Sequence, residues 1–166
     1  MNLLERIHGA SIHVRRTQVL SQHLSDLIPP HLRVLDVGCG DGLLASQIGK
    51  KRLDVHIAGL DVLIRSQHYI PVTQFDGYTI PHDDASFDVV MFVDVLHHTE
   101  DPMILLREAV RVARRLILIK DHIVDAVLAR PTLRLMDRIG NARYGVSLPH
   151  NYWPRADGLK PSNNLG

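Results

Sequence analysis

Four acidic residues of this chain each follow a short apolar stretch, an arrangement that is typical of a ligand-binding edge. These residues are Asp36, Asp61, Asp76 and Asp94. The apolar stretches predict parallel β-strands, and an open α/β sheet binds its ligands beyond the carboxyl ends of such strands. Carboxylates gathered at that edge can accept hydrogen bonds from hydroxyl or amino groups and can bind a cation. Asp88 stands instead at the beginning of a predicted strand, and we interpret it as a structural residue.

A glycine-rich turn follows the first predicted strand. It runs from Gly38 to Gly42 as Gly-Cys-Gly-Asp-Gly. Glycines let a ligand approach the backbone closely, and the N–H groups of such a turn can bind it. Asp61 lies 23 residues after Gly38, which is the spacing of an acid that binds a ribose diol. These two signals fit a nicotinamide dinucleotide as well as another adenosyl ligand.

Three details of the sequence favour an adenosyl ligand with a cationic end. Leu43 stands where a dinucleotide fingerprint has its third glycine. Asp36 lies two residues before the first glycine of the turn, a position that suits a cation better than a pyrophosphate. The Asp76-Gly77 pair follows the third predicted strand and adds a polar group placed for an adenine amino group, although an ordinary Asp-Gly turn is the alternative.

The ordered motifs resemble class I S-adenosylmethionine-dependent methyltransferases, in particular the branch with ubiquinone-biosynthesis and other small-molecule methyltransferases. The resemblance covers about residues 30–120 and rests on the stretches 34–42, 76–90 and 94–102. It implies a Rossmann-like α/β fold of three layers, with a mostly parallel sheet of strand order 3-2-1-4-5. It also implies S-adenosylmethionine as the cofactor and methyl transfer to a small-molecule acceptor by in-line displacement.

The resemblance implies roles for the residues around the methionine end of the cofactor. Gly38, Cys39 and Gly40 would cradle that end. Asp36 would support the turn and help to hold the ammonium group. The backbone at Asp94 would face the methionyl group and the sulfonium.

The resemblance implies a second set of contacts at the adenosine end. Asp61 would bind both ribose hydroxyls, with a helix cap or strand terminator as the alternative. Val62 would pack near the adenine. Asp76 would accept a hydrogen bond from the adenine amino group, with Gly77 beside it.

His97 and His98 follow the strand predicted over 87–93, near the expected methyl group. Either could act as a general base, which the reaction needs only if the acceptor is protonated. Capping or loop roles are the alternatives. We predict no metal site because adjacent histidines rarely chelate together and no third ligand stands at a suitable spacing. Cys39 is interpreted as a small residue of the turn, because no group that would activate its thiolate is evident.

Two further functions stay open from the sequence. One is a truncated, cofactor-binding but inactive homologue or regulatory subunit, and the other is an NAD-dependent oxidoreductase. The sequence does not identify the methyl acceptor. However, Asp94 is followed by Val-Leu-His, which argues against the adenine and glutamine amide methyltransferases, whose signature is Asn/Asp-Pro-Pro-aromatic.

The elements that must position these residues alternate along the chain. Apolar periodicity predicts a helix over residues 1–28, which Pro29-Pro30 ends. Further helices are predicted over 43–51, weakly over 62–69, and from Asp101 to Val112. Strands are predicted over 33–37, 55–60, 72–75, 87–93 and 116–119. This alternation predicts a parallel sheet with right-handed crossovers.

The whole chain, residues 1–166, is interpreted as a single methyltransferase domain. Its parts are an N-terminal helical segment (1–30), a cofactor-binding core (31–120), a helical cap on the substrate side (121–158) and a tail (159–166). The resembled fold has seven strands, and a C-terminal strand pair is predicted to be missing here. An uncovered fifth strand invites pairing with other chains. We therefore expect residues 121–160, a homodimer or a partner chain to cover it.

Composition is consistent with this interpretation. The chain has 166 residues, of which 45% are hydrophobic and 22% charged, as in an ordinary globular domain. A formal net charge of +1 argues against bulk binding to nucleic acid. The single cysteine favours a cytoplasmic location. No membrane span is predicted, because no apolar run reaches 18 residues. No signal peptide is predicted, because residues 1–6 are not a charged leader followed by a long apolar stretch.

Overall fold

The computed structural model describes residues 3–121, with side chains from residue 15 onward. Its helices are α1 (Leu3–Leu27), α2 (Leu43–Lys51) and α3 (Pro102–Val112), with a one-turn 3₁₀ helix at Leu96–His98. Its strands are β1 (Arg33–Val37), β2 (His56–Asp61), β3 (Val72–Gln74), β4 (Phe87–Val93) and β5 (Ala113–Lys120). The predictions for residues after 121, including the cap, the tail and the missing strand pair, lie outside the described residues.

The five described strands form one parallel sheet in the order β3-β2-β1-β4-β5. The predicted fold class and strand order are therefore confirmed. β1 lies in the middle of the sheet, with Asp36 opposite Gly59 of β2 and Met91 of β4. Near-continuous apolar runs suit these central strands because helices cover both faces of the sheet.

Two apolar clusters fill the space between the sheet and its helices. Side chains alternate between the faces of a strand, so Leu35 and Val37 pack toward α3 whereas Val34 packs toward α1 and α2. Asp36 shares its face with Val34. Its carboxylate therefore points to the side of the sheet that α1 and α2 cover.

Specific contacts hold the start of α3, where the sequence predicts a cap, and the end of α1. The Asp101 carboxylate accepts a hydrogen bond from the Met103 N–H at 2.9 Å, and Pro102 occupies the first turn of α3. At the end of α1, the Arg52 guanidinium donates to the carbonyls of Ser25 and Ile28, both at 2.6 Å. These bonds satisfy carbonyls that a helix end leaves without partners.

The helix predicted over residues 62–69 is wrong. The described chain has bends there and no helix. The Asp61 carboxylate accepts from the Leu63 N–H at 2.9 Å, and the Tyr69 N–H donates to the Asp41 carbonyl at 2.8 Å. One local and one tertiary hydrogen bond therefore replace helical ones, and the tertiary bond ties the segment to the glycine turn. The β-branched Val62 and Ile64 weaken its helix propensity further.

The amino edge of the sheet is held by charged side chains. Asp88 accepts from the Arg33 N–H at 3.0 Å and lies 3.5 Å from the Arg114 guanidinium. Arg111 of α3 donates to the carbonyls of Ile80 and His82, at 2.9 and 2.7 Å. Asp88 is therefore a structural residue, as the sequence predicts, and the chain before β4 is fastened to α3.

Among the described residues, no helix is both long enough and apolar enough to cross a membrane.

Candidate functional site

A cleft of about 240 Å³ opens at the carboxyl edge of the sheet, beneath α1. Its lining consists of Arg16, Thr17, Leu20, Asp36, Gly38, Cys39, Gly40, Asp41, Leu43, Leu44, Arg65, Val93 and Asp94. A larger hollow of about 570 Å³ lies near the amino edge, between Arg33 and Phe87. That hollow contains none of the strand-end acids, so the carboxyl-edge cleft is the candidate site.

The glycine turn forms the floor of this cleft. Gly38 has a φ of +74°, a conformation that L side chains rarely adopt, and a Cβ there would lie 2.5 Å from Val95 Cγ2. The N–H groups of Gly38 and Cys39 both donate to the Leu60 carbonyl, at 2.7 and 3.0 Å. The turn is thus docked on the end of β2, and only glycine fits at its first position.

Asp61 braces the turn from β2. One carboxylate oxygen accepts from the Gly40 N–H at 2.7 Å and the other from the Leu63 N–H at 2.9 Å. A carboxylate has about four lone-pair sites, so each oxygen keeps capacity for another donor. The structural role that the sequence left open is therefore present, and it leaves room for a ligand.

Asp36 is a buried acid at the base of the cleft. Only 3% of its surface is exposed. Burial raises the pKa of its carboxyl to about 7, and the negative charge of Asp61 contributes in the same direction. Within residues 15–121, no hydrogen bond or ion pair reaches this carboxylate. Such an acid is compatible with a bound cation.

Cys39 has no features of a nucleophile. Burial raises the pKa of its thiol above the usual range, and the charges of Asp36 and Asp61 raise it further. Its Sγ packs against the backbone of Gly59, because a Cβ on that glycine would lie 2.5 Å from the sulfur. A neutral thiol wedged between the turn and β2 is consistent with the sequence interpretation.

Asp94 joins three elements above the cleft. Its φ of +58° lies in the left-handed region, which is uncommon for a residue other than glycine. Its carboxylate pairs with Arg16 of α1 at 2.5 Å and with Lys120 at the end of β5. These ion pairs hold α1 against the ends of β4 and β5.

The residues predicted for the adenosine end lie outside the lining of the cleft, next to it along the edge. A Cβ on Gly77 would lie 3.2 Å from Val62 Cγ1, so these two residues face each other. Asp76 accepts from the N–H groups of Thr79 and Tyr78, at 2.7 and 2.8 Å, and these bonds lower the pKa of its carboxyl. The ordinary Asp-Gly turn expected as an alternative is therefore formed.

His97 and His98 lie on the 3₁₀ helix after β4, and their burial differs. His97 is fully buried, and its Nδ1 is hydrogen bonded to the Asp121 carboxylate. The His97 N–H also donates to Asp121, at 3.2 Å. His98 is partly exposed, and its ring centroid lies 3.9 Å from that of His97. An acid that follows β5 therefore fixes His97, and the ring of His98 packs against it.

Sequence reasoning missed Arg16, Arg65, Lys120 and Asp121. Lys120 and Asp121 directly follow the fifth predicted strand, a signal that could have identified them. The Arg65 guanidinium carbon lies 3.1 Å from the position of a Cβ on Gly40. The structure places no group of three potential metal ligands among residues 15–121.

The sheet order, the glycine turn docked on β2 and the acids at the strand ends define the Rossmann-like class I methyltransferase fold. A family model described as a methyltransferase domain matches residues 35–119. The chain belongs to this family, whose cofactor is S-adenosylmethionine.

Curated relatives agree with that assignment. The chain is 27% identical over 139 residues to 27-O-demethylrifamycin SV methyltransferase of Amycolatopsis mediterranei, which covers 68% of this chain and 51% of that protein. It is 32% identical over 105 residues to a ubiquinone biosynthesis O-methyltransferase of Roseobacter denitrificans, over 52% of this chain and 40% of that protein. The expected likeness to ubiquinone-biosynthesis methyltransferases is therefore confirmed. The chain spans about half the length of these relatives, or less.

A solved structure shares the fold. The apo form of the S-adenosylmethionine-dependent methyltransferase SibL matches 95% of this chain and 51% of its own chain, with a TM-score of 0.61 and 22% identity. At this identity the match concerns the fold alone.

Proposed function

We propose that this chain binds S-adenosylmethionine at the carboxyl-edge cleft and transfers its methyl group to a small-molecule acceptor. The observation that carries the proposal is the glycine turn, which Asp61 braces and which lines the same cleft as the buried Asp36. Family membership supports the reaction class, and the names of the relatives support an oxygen atom as the methyl acceptor.

The residues present fit this cofactor. Gly38 and Gly40 both line the cleft with positive φ values, so the backbone of the turn borders the ligand site with no side chain of its own in between. The buried Asp36 carboxylate complements an ammonium group, and the remaining lone pairs of Asp61 complement two ribose hydroxyls. Val62 and Gly77 would flank the adenine, and Asp76, although it forms a turn, would accept from the adenine amino group. Cys39, Gly40 and the backbone of Asp94 would line the methionine end.

The protein's contribution to the reaction is mainly alignment. When bound, S-adenosylmethionine supplies a methyl group on a sulfonium, which is already a good leaving group. The chain then has to orient the methyl group and the acceptor in line, and such positioning can be worth ~7–11 kcal/mol. Asp36, Asp61 and the turn would fix the cofactor, and Arg16 with Asp94 would hold α1 over the cleft and restrict the access of water.

Of the two histidines, His98 is the better candidate for the general base. It is partly exposed, whereas His97 is fully buried and engages Asp121 through Nδ1. His98 would accept the proton of an acceptor hydroxyl. His97 would act as a positioning residue, because its ring packs against His98 and is fixed by the acid.

Calorimetric titration of the full chain with S-adenosylhomocysteine tests the proposal. We expect binding, and we expect Asp61→Ala to weaken it about 100-fold, because two charge-assisted hydrogen bonds are worth ~3 kcal/mol together. Asp83→Ala is a matched control, since it removes an exposed acid remote from the cleft.

The outcomes separate the open alternatives. Absence of binding even at millimolar ligand would overturn the proposal, and selective binding of NAD would indicate the oxidoreductase. Binding without turnover across phenols, hydroxylated polyketides and quinols would favour the inactive homologue.

Partners and location remain predictions. A homodimer or a partner chain over the β5 edge is supported by the exposure of Ile119, which is 51% exposed within the described part of the chain. Light scattering tests this prediction. A cytoplasmic location rests on the single cysteine, and cell fractionation tests it.

A further inference from the structure

The hollow of about 570 Å³ at the amino edge of the sheet is separate from the carboxyl-edge cleft. It lies between the first residues of the two central strands, Arg33 of β1 and Phe87 of β4. The segment before β4 supplies the rest of its lining, which consists of Ile80, Pro81, His82, Asp83 and Ser86. The cleft lies at the other end of the same two strands. β1 has five residues, which at about 3.3 Å per residue separate the two sites by roughly 16 Å.

Arg33 brings a positive charge without an acceptor to this hollow. Its guanidinium carbon lies 5.0 Å from the centre of the Phe87 ring, in a cation–π contact. Asp88, the acid at this edge, accepts only from the backbone N–H of Arg33 and lies near the guanidinium groups of Arg114 and Arg115. Among residues 15–121, no carboxylate or carbonyl accepts from the Arg33 guanidinium. Its N–H groups can therefore bind an anion.

Ser86 brings a hydroxyl group that is buried without a partner. Its Oγ has no hydrogen bond within the described part of the chain, and such a group costs stability. Ser86 lines the hollow, and turning its hydroxyl toward the hollow breaks no existing bond. Ser86 is therefore a second donor for a ligand there, one residue before the ring on which Arg33 lies.

The other titratable groups limit the charge that the hollow accepts. Burial lowers the pKa of His82 and the charge of Arg33 lowers it further, whereas Asp83 acts in the opposite direction. The His82 ring, which lies edge-on to Phe87 with 4.9 Å between the centroids, is therefore uncharged at neutral pH. Asp83 is exposed and adds one negative charge to the lining. One cation with one acid nearby favours a ligand with a single negative charge over a dianion.

The loop that forms the hollow is held in place by α3. Arg111 donates to the carbonyls of Ile80 and His82, at 2.9 and 2.7 Å, and its own carbonyl accepts from the Ala85 N–H at 2.9 Å. The Glu108 carboxylate accepts from the Ile80 N–H at 2.9 Å. The hollow is therefore formed before any ligand arrives, which lowers the entropic cost of binding.

We propose that the amino-edge hollow is a second ligand site, which binds a small organic acid through a single carboxylate. Arg33 donates two parallel N–H bonds to the carboxylate, and the Ser86 hydroxyl donates a third bond. Pro81 and Phe87 contact the apolar body of the acid. The site is independent of methyl transfer, because none of the residues that line the hollow lines the cleft.

Benzoate, benzamide and inorganic phosphate test the proposal on the full wild-type chain. Benzamide has nearly the shape of benzoate without its charge, and phosphate is mostly a dianion at pH 8. We expect benzoate to shift the NMR signals of the Ser86 and Phe87 amides in a saturable way. Benzamide and phosphate should bind about tenfold more weakly or worse, because the first loses the charge-assisted bonds and the second is repelled by Asp83. Saturating S-adenosylhomocysteine should leave the benzoate titration unchanged.

Variants assign the contacts. Arg33→Gln should weaken benzoate binding by about tenfold or more, because it removes the charge-assisted bonds. Arg107→Gln is the matched control, since Arg107 is an exposed arginine of α3 outside the hollow. Ser86→Ala should weaken binding about threefold, the effect of one neutral donor. Asp83→Asn should tighten the binding of phosphate more than that of benzoate.

Several results would overturn the proposal. These are the absence of a saturable benzoate shift at tens of millimolar, equal affinity for benzamide, and equal benzoate affinity of Arg33→Gln and Arg107→Gln. Displacement of benzoate by S-adenosylhomocysteine would place benzoate in the cleft and would also overturn it. The wild-type titrations need no variant, so they decide the matter even if a variant folds poorly. A failure of S-adenosylhomocysteine to bind would count against the proposed function alone.

Discussion

Each edge of the sheet contains a buried aspartate, and the two differ in their hydrogen-bond partners. At the amino edge, Asp88 is 8% exposed, accepts from the Arg33 N–H and lies near Arg114. At the carboxyl edge, Asp36 is 3% exposed, and within residues 15–121 nothing donates to its carboxylate. A paired buried acid stabilises a fold, whereas an unpaired one beside a cleft costs stability and suits a ligand. Burial alone does not separate the two roles, but hydrogen-bond partners do.

The largest expected effect tests the catalytic side of the carboxyl edge. His98→Ala should lower kcat by ~10²–10⁴-fold if the acceptor loses a proton in the reaction, while KM for the cofactor changes little. Steady-state kinetics with an identified acceptor measure this. His97→Ala is the comparison, because loss of the buried ring should lower the melting temperature as well as kcat. An unchanged kcat for His98→Ala would mean that His98 is not the general base.

Two glycine-to-alanine substitutions test whether the glycine turn requires glycine at its first position. Gly38→Ala forces a Cβ to within 2.5 Å of Val95 Cγ2 at a φ of +74°. It should destabilise the chain by about 2–4 kcal/mol, because left-handed strain and a steric clash add together. Gly49→Ala on α2 is the control, since a Cβ there meets nothing within 4 Å, and it should stabilise by up to about 1 kcal/mol. Urea unfolding measures both, and equal effects would contradict the proposed constraint on the turn.

The comparison between the two acids predicts that substituting Asp36 and substituting Asp88 change the stability of the chain in opposite directions. The folded-state pKa of Asp36 is raised to about 7 from an ordinary value of 3.8. The folded state therefore binds more protons than the unfolded state between these values, and stability is lost as pH rises through that window. Asp36→Asn should stabilise the ligand-free chain by on the order of 1–4 kcal/mol at pH 8 and have little effect at pH 4.

Asp88→Asn should instead destabilise the chain, by about 0.5–1.5 kcal/mol. The amide can still accept from the Arg33 N–H, but the attraction to the neighbouring arginines is lost. Thermal and urea unfolding of both variants at pH 4, 6 and 8 measure the difference. The contrast between the edges would be wrong if the two substitutions changed stability in the same direction at pH 8.

The sequence reveals this fold well where the signals are local. The apolar runs of β1 and β4, the glycine turn and the Asp101-Pro102 helix start all depend on neighbouring residues, and each was predicted. The segment 62–69 was mispredicted because the Leu63 N–H bonds to the Asp61 carboxylate and the Tyr69 N–H to the distant Asp41 carbonyl, in place of helical hydrogen bonds. The same reason hides the ion pair of Asp94 with Lys120, which are 26 residues apart and meet only through the register of β4 and β5.

The smallest expected effect concerns the cover of the cleft. Arg16→Ala removes the ion pair of α1 with Asp94, whose arginine side chain is 42% exposed. Because such exposed pairs contribute little, we expect a stability loss of only ~0.2–1 kcal/mol that shrinks in high salt. Arg15→Ala is the matched control, one position away on the same helix and also exposed.

If α1 covers the bound cofactor, Arg16→Ala should also speed the dissociation of S-adenosylhomocysteine, measured by stopped-flow fluorescence, whereas Arg15→Ala should not. Equal dissociation rates for the two variants would mean that the ion pair only fastens α1 to the sheet. The ion pair at the carboxyl edge would then have the same structural role as those at the amino edge.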